Sequence, residues 1–422
     1  MLDRVTPPPS RISEMPCLTP PQCRRLSNGI PLFIFQNKGL ELIQLVVSTR
    51  AGVVYEPMKR LASFCNNLLI DSHPDMSAEK FEEFRDYAGI TLSVDASWSH
   101  SHLSVIFPRR NSQALKEVLQ IILHPCFRKE ELERYRARTI RDWEYDTRKG
   151  DFRSAQLIRK LFFGDELPFS KIADYRDFEI INKNHLNHYF KQSYCAENMS
   201  IFITGHVTPE VTEMVEGVFS DIRHGEPMRM MSCDNGIRPP QRIHETMPDA
   251  LQTSIALCRR CPTANDPEIH VFRFLNTLFG NYFGSRLMQN LREKNGYTYG
   301  IGSTISHFPD RSICQIASEV NNDKCEAAIQ ACFDEMRRLR EEPVGKEEMD
   351  EVRNFLYGSA LRGIDGSVQL MRSYIGWHEI GCDEQRFIQY YDTIGAITAD
   401  DVQRLANQWL REEDFSVVTV GQ

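Results

Sequence analysis

Apolar positions along the first half of the chain change period several times, and each change marks an element. Residues 30–35 and 42–49 are runs of apolar and β-branched side chains, with Ser27-Asn28-Gly29 as a turn before the first, and read as strands. Residues 61–69 repeat their apolar positions at helical spacing, and a second helix runs from a Ser77 cap to a Gly89 stop. Strand patterning returns at 90–98 and 103–107, helical spacing at 111–123 and 129–145, and a strand at 199–204. The second half repeats this order, with strands near 253–258, 299–306 and 313–320 and helices near 267–279, 324–339 and 346–361.

The two halves also match residue by residue. Asn198-Met-Ser-Ile-Phe-Ile-Thr-Gly205 returns 216 residues later as Asp414-Phe-Ser-Val-Val-Thr-Val-Gly421. Ile181, Leu186 and Tyr189 find Ile397, Val402 and Leu405 at the same offset, and Lys129-Glu-Glu131 finds Lys346-Glu-Glu348 one residue further on. The pattern predicts an α+β protein of two tandem homologous domains, each a mostly antiparallel β-sheet with helices packed on it. Residues 1–22 are expected to form an N-terminal arm, 23–225 the first domain and 242–422 the second. Residues 226–241, rich in Met, Pro, Gly and Asn without apolar period, are expected to link them.

One segment of the second half carries chemistry: Gly284-Ser-Arg-Leu-Met-Gln-Asn-Leu-Arg-Glu-Lys-Asn-Gly-Tyr-Thr-Tyr-Gly-Ile-Gly-Ser303. Leu287, Asn290 and Leu291 have helical spacing, Gly296 suits a helix stop, and 297–301 alternate as a strand. Arg292 then sits in the last helical turn and Tyr299 on the strand just beyond, where a guanidinium fork and a phenol can grip a peptide backbone or an oxyanion. On the residues alone, Arg292 complementing the helix dipole while Tyr299 pairs across a sheet fits equally well.

Composition narrows the remaining possibilities. At 422 residues and 41% hydrophobic content, two domains can each bury a core, and no run approaches the length of a membrane span. The start, Met1-Leu-Asp-Arg-Val-Thr-Pro-Pro-Pro-Ser10, lacks a signal core, so a cytoplasmic location is expected, with the twelve cysteines reduced. Residues 1–225 hold 29 Lys and Arg against 29 Asp and Glu, and residues 226–422 hold 21 against 29. That balance lacks the basic footprint of a nucleic-acid binder, and no phosphate-binding glycine loop is present. Cys258 and Cys261 read as buried strand cysteines, His100 and His102 as a polar strand face without a third ligand, and His185 and His188 as surface residues.

The helix at 61–69 is informative for what it lacks. Ser63, Asn66 and Asn67 fall together opposite an apolar stripe of Leu61, Phe64, Cys65, Leu68 and Leu69, at the spacing of the inverted His-x-x-Glu-His motif. Hydroxyl and amide oxygens are poor zinc ligands, and an amide cannot serve as general base. The same helix also reads as an ordinary amphipathic one.

With Ser285-Arg-Leu, Leu291-Arg-Glu-Lys, Gly296 and Tyr299, the chain resembles the insulinase (pitrilysin-type) zinc metallopeptidases over about residues 23–421. The resemblance implies the insulinase-like metalloenzyme fold, with degenerate metal-site positions at Ser63, Asn66, Asn67 and, for the third ligand, Asp142. It implies that Arg292 and Tyr299 bind substrate and act catalytically in trans, with no metal and no cofactor in this chain. Zinc is then expected in a homologous partner subunit carrying His-x-x-Glu-His, the two forming a heterodimer around a peptide substrate. The alternatives are an inactive assembly subunit like the core proteins of respiratory complexes, or a homodimeric peptide-binding protein. No membrane or nucleic-acid partner is expected.

Overall fold

The computed structural model describes residues 15, 17–70, 76–230, 239–308 and 311–422. Residues 1–14 and 16 of the expected arm, and 231–238 of the expected linker, lie outside the described residues. In chain order the first half forms β1 (Gln22–Arg25), β2 (Pro31–Gln36), β3 (Leu42–Thr49), α1 (Leu61–Leu68), α2 (Ala78–Ala88), β4 (Thr91–Ala96), β5 (Ser101–Pro108), α3 (Ser112–Leu123), α4 (Lys129–Asp146), α5 (Gly150–Phe163), α6 (Tyr175–Glu179), α7 (Lys183–Ser193), β6 (Met199–Gly205) and α8 (Pro209–Phe219). The second half forms β7 (Arg242–Thr246), β8 (Gln252–Cys261), α9 (Ile269–Gly280), β9 (Thr298–His307), β10 (Ser312–Asn321), α10 (Cys325–Glu341), α11 (Lys346–Arg362), α12 (Gly366–Glu379), α13 (Gln385–Ala396), α14 (Ala399–Trp409) and β11 (Ser416–Gly421).

Local chemistry sets many of these boundaries. The Ser77 hydroxyl accepts the Lys80 N–H at the start of α2, and Gly89 ends it at φ +66°, a conformation that disfavours any side chain. Thr398 and Asp401 exchange bonds in a capping box that opens α14. Asn182, at the matching place in the first half, accepts from Asn184 and His185 to open α7.

The two sheets follow one path. Strands β2, β6, β3, β5 and β4 lie side by side, with β1 outside β2, and the second sheet runs β7, β11, β8, β10, β9. In each, the first and last of these strands in chain order to pair, β2 with β6 and β7 with β11, are parallel; the other pairings are antiparallel. The α+β architecture expected from the repeat is therefore present, as two mixed sheets with helices.

Each sheet buries one face under helices of its own half. Leu45, Val47, Leu103, Val105 and Ile201 pack against Phe64, Leu68, Leu115 and Leu186, and Ile255, Leu257 and Ile316 pack against Leu275, Ile329, Met336 and Leu405. The other face is covered by exchange. Phe33, Phe35, Val46 and Phe202 of the first sheet are capped by Met371 and Ile375 of α12, a helix of the second half. Ala256, Cys258 and Val418 of the second sheet are capped by Ile158, Leu161 and Phe163 of α5, a helix of the first.

Polar contacts fasten both exchanged helices at their ends. Arg153 on α5 forms a two-pronged pair with Glu245 on β7, at 2.7 and 2.9 Å. Glu379 at the end of α12 accepts from Ser48 on β3 at 2.6 Å. Gly150 starts α5 where an added Cβ would come within 3.2 Å of the Ser254 Cβ and 3.3 Å of the Val420 carbonyl. Met371→Ala, at a side chain with no exposure, is expected to cost about 2–5 kcal/mol. A urea-unfolding midpoint equal to that of the unaltered protein would show that α12 does not clamp the first sheet.

Candidate functional site

The segment that ends in Arg292 is π-helical over Met288–Lys294, where its spacing predicts an ordinary helix. The wider turn closes with Asn295 N–H donating to the Asn290 carbonyl at 3.0 Å and Tyr297 N–H to the Leu291 carbonyl at 2.8 Å. Tertiary bonds hold it open: Asn290 donates to the buried Glu335 of α10 at 2.7 Å, and Arg286 forms two 2.8 Å bonds to Glu348 of α11. Gly296 follows at φ +61°, the turn the sequence predicts. Single-turn π-helices occur frequently at functional sites, because the widened turn re-aims its side chains.

Strand β9 lies at the edge of the second sheet and carries Tyr299 near its start. Its register with β10 shifts between Ser318 and Val320, and the Thr298 and Ser318 hydroxyls both donate to the Gly300 carbonyl at 2.9 Å. Such an irregularity turns a side chain off the sheet's regular alternation, and the Tyr299 side chain stands 89% exposed. The Arg292 guanidinium carbon lies 5.4 Å from the Tyr299 ring centre and 4.9 Å from that of Phe283. Two aromatic faces therefore hold the guanidinium while its in-plane N–H donors remain available, apart from a 3.4 Å contact of Nε with Glu293. Phe283 escaped the sequence reasoning. Its only signal is an aromatic placed just before Gly284, in a turn that periodicity does not address.

Ser63, Asn66, Asn67 and Asp142, the positions that the resemblance marks as degenerate metal ligands, are held differently. Asn66 does not share an outer face with Ser63 and Asn67 as its spacing suggested. It is fully buried, donating to the Ala51 carbonyl at 2.8 Å and accepting from the Tyr194 hydroxyl at 2.8 Å. The helix packs into the β4 and α7 side of the fold, which draws Asn66 inward with the apolar stripe. Asn67 turns its amide back to the Ser63 carbonyl at 2.9 Å, and the Ser63 hydroxyl lies 3.3 Å from the Tyr135 hydroxyl of α4. Asp142, also on α4, is exposed.

His100 and His102 do share one face, and what they meet comes from the other half. The Glu379 carboxylate lies 2.5 Å from His102 Nε2 and 3.8 Å from His100 Nδ1, while His378 contacts the Ser200 hydroxyl at 3.0 Å. Burial holds the His100 imidazole down to about 4. Burial would lower His102 also, but its bond to Glu379 outweighs that and raises it. Glu379, which burial would raise, is held below the ordinary carboxylate range by His102 and His100. Among the other histidines, His185 is half-buried and His188 exposed. Cys258 and Cys261 are buried in β8, where burial pushes both thiols well above their ordinary value.

Residues 181–356 match the family model of the peptidase M16 inactive domain. Over that stretch the chain is similar to the M16 peptidase family. It is similar to an uncharacterized zinc protease of Rickettsia bellii, 22% identical over 93% of this chain and 96% of that one. The peptidase M16 inactive domain from Pseudomonas fluorescens superposes with a TM-score of 0.87 at 18% identity, over 95% of this chain and 97% of that one. A protease from Helicobacter pylori superposes at 0.84 and 14% identity, over 96% of this chain and all of that one. At such identities the superpositions show the fold, over nearly the whole chain.

Relatives described as zinc proteases raise the question of a zinc site, and the residues here do not fit one. Asn66 spends its amide on the fold, Asn67 and Ser63 offer neutral oxygens, and among the described residues no group of three His, Cys, Asp or Glu side chains is placed to hold a metal ion. Among them, too, no helix is long and apolar enough to cross a membrane.

Asn66→Ala is expected to destabilise the protein by about 1–3 kcal/mol, since it strips the Ala51 carbonyl of its donor and leaves the buried Tyr194 hydroxyl only a 3.4 Å contact with the Ser101 hydroxyl. Chemical denaturation measures this; no loss would place both groups in contact with water. The histidine cluster predicts a pH dependence. The unfolded His100 takes its proton near 6.5 and the folded one near 4, so the unfolded state binds the extra proton and stability falls as pH drops through that window. His100→Gln should flatten this fall by up to about 3 kcal/mol, read from denaturation midpoints at pH 7 and pH 4.

Proposed function

We propose that this chain is the non-catalytic subunit of a two-chain zinc metallopeptidase. Arg292 and Tyr299 hold the peptide substrate by its backbone and stabilise the oxyanion that develops at the scissile carbonyl. A homologous subunit with the His-x-x-Glu-His motif supplies the zinc site and the general base. The observation that carries this reading is the contrast between the two halves. Arg292 is held between Phe283 and an exposed Tyr299 at a sheet edge, while the Ser63, Asn66 and Asn67 groups are turned to the fold's own hydrogen bonds.

The edge position supports a mode of binding. An edge strand offers unpaired backbone groups to an extended peptide, and a guanidinium and phenol beside it can take the carbonyl oxygens of that added strand. Donors aimed at the developing charge act on the transition state more than on the bound peptide, so their loss should appear in kcat/KM. In the assembled pair, Arg292→Ala and Tyr299→Phe are each expected to lower kcat/KM for peptide hydrolysis about 100-fold, with circular dichroism and subunit association unchanged. Hydrolysis undiminished by both changes would leave this chain as a structural subunit.

A further inference from the structure

Away from the Arg292 site, a cavity of about 100 Å³ is enclosed by the approach to α1, the middle of α5 and the 169–173 segment. Its lining includes Lys59, Arg60 and Arg159, with the exposed Lys171 as a fourth cation and Glu56 as the one carboxylate. Glu56 is 2% exposed and already accepts the Ala62 N–H at 3.2 Å, at the start of α1. Lys59 donates to the Phe169 carbonyl at 2.8 Å. The Arg60 guanidinium lies over Phe178 at 5.2 Å and that of Arg159 over Trp98 at 5.3 Å.

None of Lys59, Arg60 and Arg159 is ion-paired with a carboxylate among the described residues, and the Arg60 Nε is buried without a hydrogen-bond partner. The other acids whose fields reach them are committed elsewhere: Asp177 accepts the Asp174 N–H in the α6 cap, and Asp146 pairs with Lys149. Arg60 is also one of two non-glycine residues at positive φ among those described, at +72°, a strain of about 1 kcal/mol that sets where its side chain starts. Burial, opposed by the Glu56 carboxylate but joined by Arg159 and Arg60, holds Lys59 down to about 8.

Withdrawing several cations from water around a single acid costs several kcal/mol per unpaired charge, and a fold that keeps them gains that back when an anion enters. The stacked guanidinium faces leave their N–H edges as donors, the geometry that suits a carboxylate or phosphate. We propose that this cavity binds one small oxyanion, a carboxylate or phosphate group, gripped by Arg60, Arg159 and Lys59. Its volume admits such a group and excludes a whole nucleotide. Ser63 lines the same cavity, so the first of the degenerate metal-site positions borders a field that repels a divalent cation.

The test is calorimetric titration of inorganic phosphate into the purified full chain at low ionic strength. Saturable one-site binding is expected, weakened by added NaCl and weakened about tenfold or more in Arg159→Met. Methionine keeps an apolar stem against Trp98, circular dichroism checks the fold, and Lys59→Met is read in the same way should Arg159→Met fail to fold. A peptide with a free C-terminal carboxylate and its amidated twin separate the sources. Preference for the free acid assigns a peptide terminus to the cavity, and no preference beside phosphate binding assigns a free oxyanion. Absence of saturable binding by both phosphate and the free-acid peptide, or binding unchanged in the folded variants, would overturn the proposal. The measurement needs neither a partner nor hydrolysis, so its failure is distinct from failure of the role given to Arg292 and Tyr299.

Discussion

Each sheet of this protein has two apolar faces, and the second face is covered only because the halves exchange a helix. Phe33, Phe35, Val46 and Phe202 would present a wet aromatic surface without Met371 and Ile375 of α12, and the second sheet depends in the same way on Ile158, Leu161 and Phe163 of α5. Burial of such side chains is worth about 1.5–3 kcal/mol each, so the exchange outweighs the few polar contacts that accompany it. It also fixes where the halves sit relative to each other. Glu379 reaches Ser48, His100 and His102 only because α12 lies against the first sheet.

That fixed frame separates two kinds of chemistry. At the edge of the second sheet, a π-helical turn, a register shift and two aromatic rings present Arg292 and Tyr299 outward. At α1, Asn66 faces inward to Ala51 and Tyr194 and Ser63 meets Tyr135, beside a cavity lined by Lys59, Arg60 and Arg159. Neutral oxygens already committed to hydrogen bonds, beside three cations, disfavour a divalent cation there. The neutral side chains and the surrounding charges thus point the same way.

Much of the fold was legible in the chain. Strand β3 appears with the bounds its run of apolar residues implied, α2 begins at the Ser77 cap and stops at Gly89, and β6 and β11 are the repeated segments that first showed the duplication. Local periodicity and capping chemistry suffice where an element buries one face against its own neighbours. Periodicity does not delineate α5 and α12, and helical spacing alone places Asn66 outward. The Arg292 segment has ordinary helical spacing, whereas Glu335 and Glu348 hold its wider turn from other elements.

By itself, then, the amino-acid sequence determined that the chain is a duplicated α+β fold, that its α1 lacks metal-binding groups and that Arg292 and Tyr299 lie close along the chain. Only the tertiary structure decided which sheet each exchanged helix covers, that Phe283 braces Arg292, and that three cations meet around Glu56. The physical reason is range. Periodicity and capping act within about a turn or a strand and are written in neighbouring residues. An apolar stripe or a charge records that it needs a partner, and long-range packing alone selects which one.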